Sequence, residues 1–276
     1  MKNITKAVFG LAAGCALAEG AFQAYVHKGE KKRAAAEGNS RQYDYRDLQA
    51  HQDSVLKDKK ILFLGSSVTY GAAAQGQSFV ELFEKLDGVQ AIKEAKSGTT
   101  LVDENSVLAL VAFGNGDSYV KRLKKVKADT LDCVVCQLST NDATMKKPLG
   151  IVSAQTALSA YDTKTITGAM EYIIQYCKEK WNCPVVFYTG SYYDSAEYSA
   201  MVQRLYDLQK KWDIGIIDLY TNQEFNNISK EQYALYMFDP IHPTRAGYSK
   251  WWMPMMEEEL TRFLAQQGEE RYSDCH

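Results

Sequence analysis

From Lys59 onward, short apolar runs alternate with longer stretches in which apolar residues recur every three or four positions. The runs 61–65, 89–95, 131–138, 184–188 and 214–219 predict strands. The stretches 78–86, 118–126, 163–180, 196–212 and 244–265 predict helices. Several strand runs are apolar at successive positions, as parallel strands covered on both faces are. Strand alternating with helix predicts an α/β chain, a three-layer α/β/α sandwich around a flavodoxin-like five-stranded parallel sheet. In such sheets ligands bind beyond the carboxyl ends of the strands, so the residues just after each run carry the argument about function.

Those residues are small or polar. The first run leads into Gly65-Ser66-Ser67-Val68-Thr69-Tyr70-Gly71, the second into Ser97-Gly98-Thr99-Thr100, and the third into Ser139-Thr140-Asn141-Asp142. Phe238-Asp239-Pro240-Ile241-His242-Pro243 precedes the last helix. Together these types suit acyl transfer. A serine hydroxyl needs a base to take its proton. His242 is the histidine at this edge, since His27, His51 and His276 lie in the tails. Asp239, three residues earlier in a proline-punctuated loop, suits the carboxylate that orients a catalytic imidazole. A developing oxyanion needs preorganised donors, and the Ser67 and Gly98 backbone N–H groups and the Asn141 amide are candidates.

Each residue also has a plainer reading. Serines after a strand cap helices; Asn141, Asp142 and Asp239 suit turns; Gly98 suits a positive φ. Ser66 rivals Ser67 as nucleophile, but the G-x-S spacing favours Ser67. A non-catalytic anion-, phosphate- or glycan-binding protein is the main alternative, with GSSVTYG as the cradle. It lacks G-K-[ST] and leaves Asp239 and His242 without a task. An α/β-hydrolase elbow would need glycine where Thr69 stands.

The four clusters resemble, in order across roughly residues 60–265, the blocks of the SGNH hydrolases, the GDSL-type esterase/lipase family. ILFLGSSVTYG is similar to the first block, G-D-S-x-T-x-G, with Ser67 in the nucleophile's place. Gly98 in SGTT matches the oxyanion glycine, Asn141 in STNDAT the oxyanion asparagine, and Asp239 and His242 in DPIHPT the closing D-x-x-H. The resemblance implies a serine esterase using a Ser67–His242–Asp239 triad and no metal or organic cofactor. Ser66 stands where the pattern has aspartate, and Ser139 where it has glycine. A small-molecule or carbohydrate ester is the expected substrate, with a small acyl group on a sugar favoured for a protein acting outside the cell.

The rest of the chain narrows the setting. Of 276 residues, 46% are hydrophobic and 24% charged, ordinary for a globular protein with a real core. A net charge of -2 argues against a nucleic-acid partner. Residues 1–26 differ: Lys2 and Lys6 precede an apolar run over 7–18 that ends in Ala16-Leu17-Ala18. That is the pattern of a signal peptide, or, continued to residue 26, of a membrane anchor with Glu19 as its costly member. Leu11-Ala12-Ala13-Gly14-Cys15 loosely resembles a lipid-attachment box. An extracellular or membrane-anchored protein, with membrane association through this segment, is therefore expected; a cytoplasmic protein with a packed N-terminal helix is the alternative. Residues 27–58 read as a polar tether, and 59–276 as the hydrolase domain. Cys133-x-x-Cys136 lies on a strand, where residues three apart face opposite ways. That predicts two buried thiols rather than a metal pair. Cys177 and Cys183 are a candidate disulfide if the protein is exported. The loop 188–193, rich in tyrosine, is a candidate surface for a sugar or acyl chain.

Overall fold

The computed structural model describes residues 28–273. The expected leader or anchor, residues 1–26, lies outside the described residues, as do Cys15 and Cys275. Among the described residues no helix is long and apolar enough to cross a membrane.

In chain order, the strands are β1 (Lys60–Gly65), β2 (Gln90–Ala95), β3 (Cys133–Gln137), β4 (Val185–Tyr188) and β5 (Gly215–Ile217). All pair in parallel, in the order β2-β1-β3-β4-β5. The main helices are α1 (Ser67–Tyr70), α2 (Phe79–Leu82), α3 (Val107–Phe113), α4 (Tyr119–Lys125), α5 (Thr140–Thr144), α6 (Ile166–Trp181), α7 (Ala196–Gln209), α8 (Lys230–Tyr236) and α9 (Met253–Ser273). This is the three-layer architecture expected from the alternating pattern.

The period of two along each strand divides the core. Leu62 and Leu64 of β1, with Val134 and Cys136 of β3, join the cluster under α4, α6 and α7. Ile61 and Phe63, with Cys133 and Val135, join the cluster under α2 and α9. Both faces of the central strands are therefore dry, which is why those strands read as continuous apolar runs. Cys133 and Cys136 fall in opposite layers, as their spacing predicts; Cys133, Cys136 and Cys177 are buried free thiols, and Cys183 is also buried.

Some expectations change. The predicted helix over 78–86 is α2, started by a capping box between Ser78 and Glu81, followed by a wider turn over Phe83–Asp87. The last predicted helix begins as a short turn, Arg245–Gly247, widens over Tyr248–Trp252 and settles into α9. α3 and α8 escape the sequence pattern. VLALVAF is apolar all round, so it shows no helical period, and α8 is a short solvated helix with no buried residue.

The reading of residues 27–58 as a tether needs correction from residue 37 onward. Asn39, Asp44 and Leu56 are buried. The Asn39 amide donates to the carbonyl of Ala73 at 2.6 Å, and its oxygen accepts from the backbone N–H of Arg245 at 2.9 Å. Gly38 sits so close to Leu235 and Thr244 that a Cβ would collide with both. The segment is a strap across the domain. Its polar composition misleads because two of its buried polar side chains, Asn39 and Asp44, are satisfied by the domain rather than by water.

Candidate active site

β1 and β3 are neighbours whose following connections leave in opposite directions, β1 to β2 on one side and β3 to β4 on the other. A crevice opens at the carboxyl ends of such strands. Ser67 is the first residue of α1, directly after β1, and is 8% exposed. Ser66 occupies the cap position but makes no capping bond. Its N–H and hydroxyl donate to Oε1 of Gln137, at 2.8 and 3.3 Å. The same oxygen accepts from the Thr69 hydroxyl at 2.9 Å, and Thr69 Oγ1 lies 2.6 Å from the Tyr188 hydroxyl. Ser66 and Thr69 therefore fix the turn from β3 and β4, leaving Ser67 facing the crevice.

His242 reaches Ser67 from the other end of the domain, with Nε2 2.8 Å from Ser67 Oγ. Its ring Nδ1 lies 2.9 Å from both carboxylate oxygens of Asp239. Asp239 Oδ1 also accepts from the N–H groups of Ile241 and His242, each at 2.9 Å. The loop is pinched at its base by the Phe238 N–H donating to the His242 carbonyl at 2.9 Å. Burial alone would raise the Asp239 carboxyl. The hydrogen bond and charge of His242, with the two backbone donors, hold it below the ordinary carboxylate range. An ionised Asp239 only accepts, so Nδ1 carries the imidazole proton and Nε2 is left to accept from the Ser67 hydroxyl.

The candidate oxyanion donors form a second linked group. Gly98 lies just past β2 at φ +75°, a conformation that favours glycine. Asn141, in α5, donates from Nδ2 to the Thr99 carbonyl at 2.8 Å. Asp142 accepts from the N–H groups of Leu101 and Val102, at 2.7 and 3.2 Å. Burial pushes the Asp142 carboxyl up to about 6, against the pull of Ser139 and those two N–H groups. Ser139, where the family pattern has glycine, is buried and caps α5 by accepting from the Asp142 N–H at 3.4 Å.

The sequence reading missed the group that joins these parts. Arg122 of α4 is buried; its Nη2 donates to the Gly65 carbonyl at 2.7 Å and to Thr99 Oγ1 at 3.2 Å, and Nη1 donates to the Glu94 carbonyl. Burial lowers its pKa, countered by Tyr119 and Glu94. Within KRLKK it looks like one solvated cation among several, and only tertiary contacts distinguish it. Gln137 left a trace, as the polar residue ending an apolar strand.

Past the carboxyl ends of β4 and β5 lies a pocket of about 510 Å³ lined by Tyr192, Asp194, Tyr220, Asn222, Gln223 and Asn226. The Tyr192 and Tyr220 rings are 5.3 Å apart. Ser191 touches the sulfur of Met237, next to the triad loop. Of the tyrosine-rich loop, Tyr188 is core and Tyr192 is exposed.

Comparisons with known proteins agree with this architecture. The sequence model of the GDSL-like Lipase/Acylhydrolase family matches residues 63–250. The chain belongs to this family, the SGNH hydrolases. A Lactobacillus plantarum protein is 17% identical with a TM-score of 0.56, over 76% of this chain and 98% of its own. A member of the lipolytic protein G-D-S-L family from Veillonella parvula is 16% identical with a TM-score of 0.50, over 74% of this chain and 99% of its own. At such identities the likeness is one of fold. No curated protein matches the chain.

Proposed function

We propose that this GDSL-family protein is a serine ester hydrolase in which Ser67 is the nucleophile, His242 the base and Asp239 its orienting carboxylate. The observation that carries the reading is the unbroken chain from Ser67 Oγ through the imidazole to Asp239, with contacts of 2.8 and 2.9 Å. Ser67 attacks the ester carbonyl as His242 takes its proton. The imidazolium then protonates the leaving alcohol, and water releases the acyl group by the same relay. The N–H groups of Ser67 and Gly98 and the Asn141 amide stabilise the oxyanion.

The proposed substrate is a small acyl group on a carbohydrate. The paired tyrosines and surrounding Asp194, Asn222 and Gln223 support this reading, because sugar rings offer apolar faces and hydroxyl edges to such walls. We further propose that the protein acts outside the cell or at a membrane surface, as its leader-like residues 1–26 suggest.

A fluorophosphonate label with adduct mapping, alongside p-nitrophenyl acetate turnover, tests the chemistry. The expected result is an adduct on Ser67, with turnover falling about ten-thousand-fold or more in Ser67→Ala and His242→Ala. An adduct on Ser66, or undiminished turnover in either variant, overturns the assignment. Acetylated sugars set against long-chain esters test the substrate class.

A further inference from the structure

A second cluster of reactive side chains lies at the opposite end of the sheet. His51 comes from the strap, Asp87 from the turn after α2, and Glu257 from α9. Gly88, next to Asp87, accepts from the N–H of Asp58, and β2 starts two residues later at Gln90. The cluster thus sits at the amino ends of the strands, about 20 Å from the catalytic edge for a strand of this length.

Its geometry is that of a coordination shell. One ligand atom from each side chain lies within 4.8 Å of the others. His51 Nδ1 is 3.1 Å from Glu257 Oε1 and 3.4 Å from Asp87 Oδ1. Ligands bound about 2.1 Å from a tetrahedral ion stand roughly 3.4 Å apart. Asp87 is 2% exposed, and its Oδ2 is buried without a hydrogen-bond partner. The Ser54 hydroxyl donates to Oδ1 at 2.7 Å, fixing the carboxylate.

We propose that His51, Asp87 and Glu257 bind one divalent transition-metal ion, with Zn²⁺ as the best match to one imidazole and two carboxylates. Ca²⁺ and Mg²⁺ favour shells of oxygen alone. The ion clamps the strap to α2 and α9 and takes no part in ester hydrolysis.

The test uses the full chain, stripped with a chelator and titrated with Zn²⁺ by calorimetry, and with Co²⁺ by absorption spectroscopy. The expected result is one Zn²⁺ per chain, a higher Tm, and a Co²⁺ spectrum of nitrogen and oxygen ligands. His51→Asn, at an exposed position that folding tolerates, and Glu257→Gln should each weaken binding tenfold or more and abolish the Tm rise. Chelation should leave p-nitrophenyl acetate turnover unchanged, so failure here is distinct from failure of the proposed triad. Equal Zn²⁺ affinity in wild type and both variants, absence of uptake, or a Co²⁺–thiolate band overturns the proposal. So does a higher Tm of metal-free Glu257→Gln without uptake by wild type, which would make the trio a strained charge cluster.

Discussion

Asn141 and Asp142 are adjacent and do different work. Asn141→Ala removes one proposed oxyanion donor and should lower kcat about 100- to 1,000-fold with little change in fold, checked by steady-state kinetics beside a thermal melt. Asp142 is structural. Its carboxyl is pushed up to about 6 in the folded protein, above the ordinary aspartate value near 3.9. The folded state therefore binds this proton more tightly than the unfolded state. Its contribution to stability is full below about pH 4 and is lost as pH rises through about 6. The Tm of wild type minus that of Asp142→Asn should fall across this window. The five proposed site residues were legible because each follows a predicted strand or opens the last helix, where a small polar cluster interrupts apolar sequence. The tasks of Ser66 and Ser139 were not legible. Their partners, the Gln137 side chain and the Asp142 N–H, are brought to them by the fold.

At the scale of elements, the turn from β1 into α1 closes as tightly as it does because Gly65 has no side chain. A Cβ there would collide with Thr69 and Gln137, the pair that holds α1. Gly65→Ala should cost about 1–3 kcal/mol in denaturant unfolding, typical of overpacking, and lower kcat by displacing Ser67. The central strands were read to within a few residues because their apolar runs are buried on both faces. α3 was invisible because its apolar residues follow no period, and Val107, Leu110 and Val111 remain exposed. The buried side of the same helix lies against the oxyanion loop, since a Cβ on Gly98 would touch Ala109.

At the scale of the whole molecule, distant parts of the chain meet behind the triad. The strap inserts Asn39 between Ala73, just past α1, and Arg245, just past His242. Asn39→Ala leaves buried polar groups unpaired and should cost about 1–3 kcal/mol. It should also reduce kcat/KM, because both catalytic segments lose a shared brace. Replacement of Asn39 at the surface of a mere tether would do neither, so melts and kinetics on one variant separate the two descriptions. The strap was misread for a physical reason: a polar segment looks the same in sequence whether water or protein satisfies it. The same brace has a mechanical consequence. A pull on the residues ahead of the strap passes through Asn39 to the backbones of Ala73 and Arg245, the latter three residues from His242. Tension at that end of the protein would load the segments that follow Ser67 and His242 together, so the two halves of the site would shift as one rather than part.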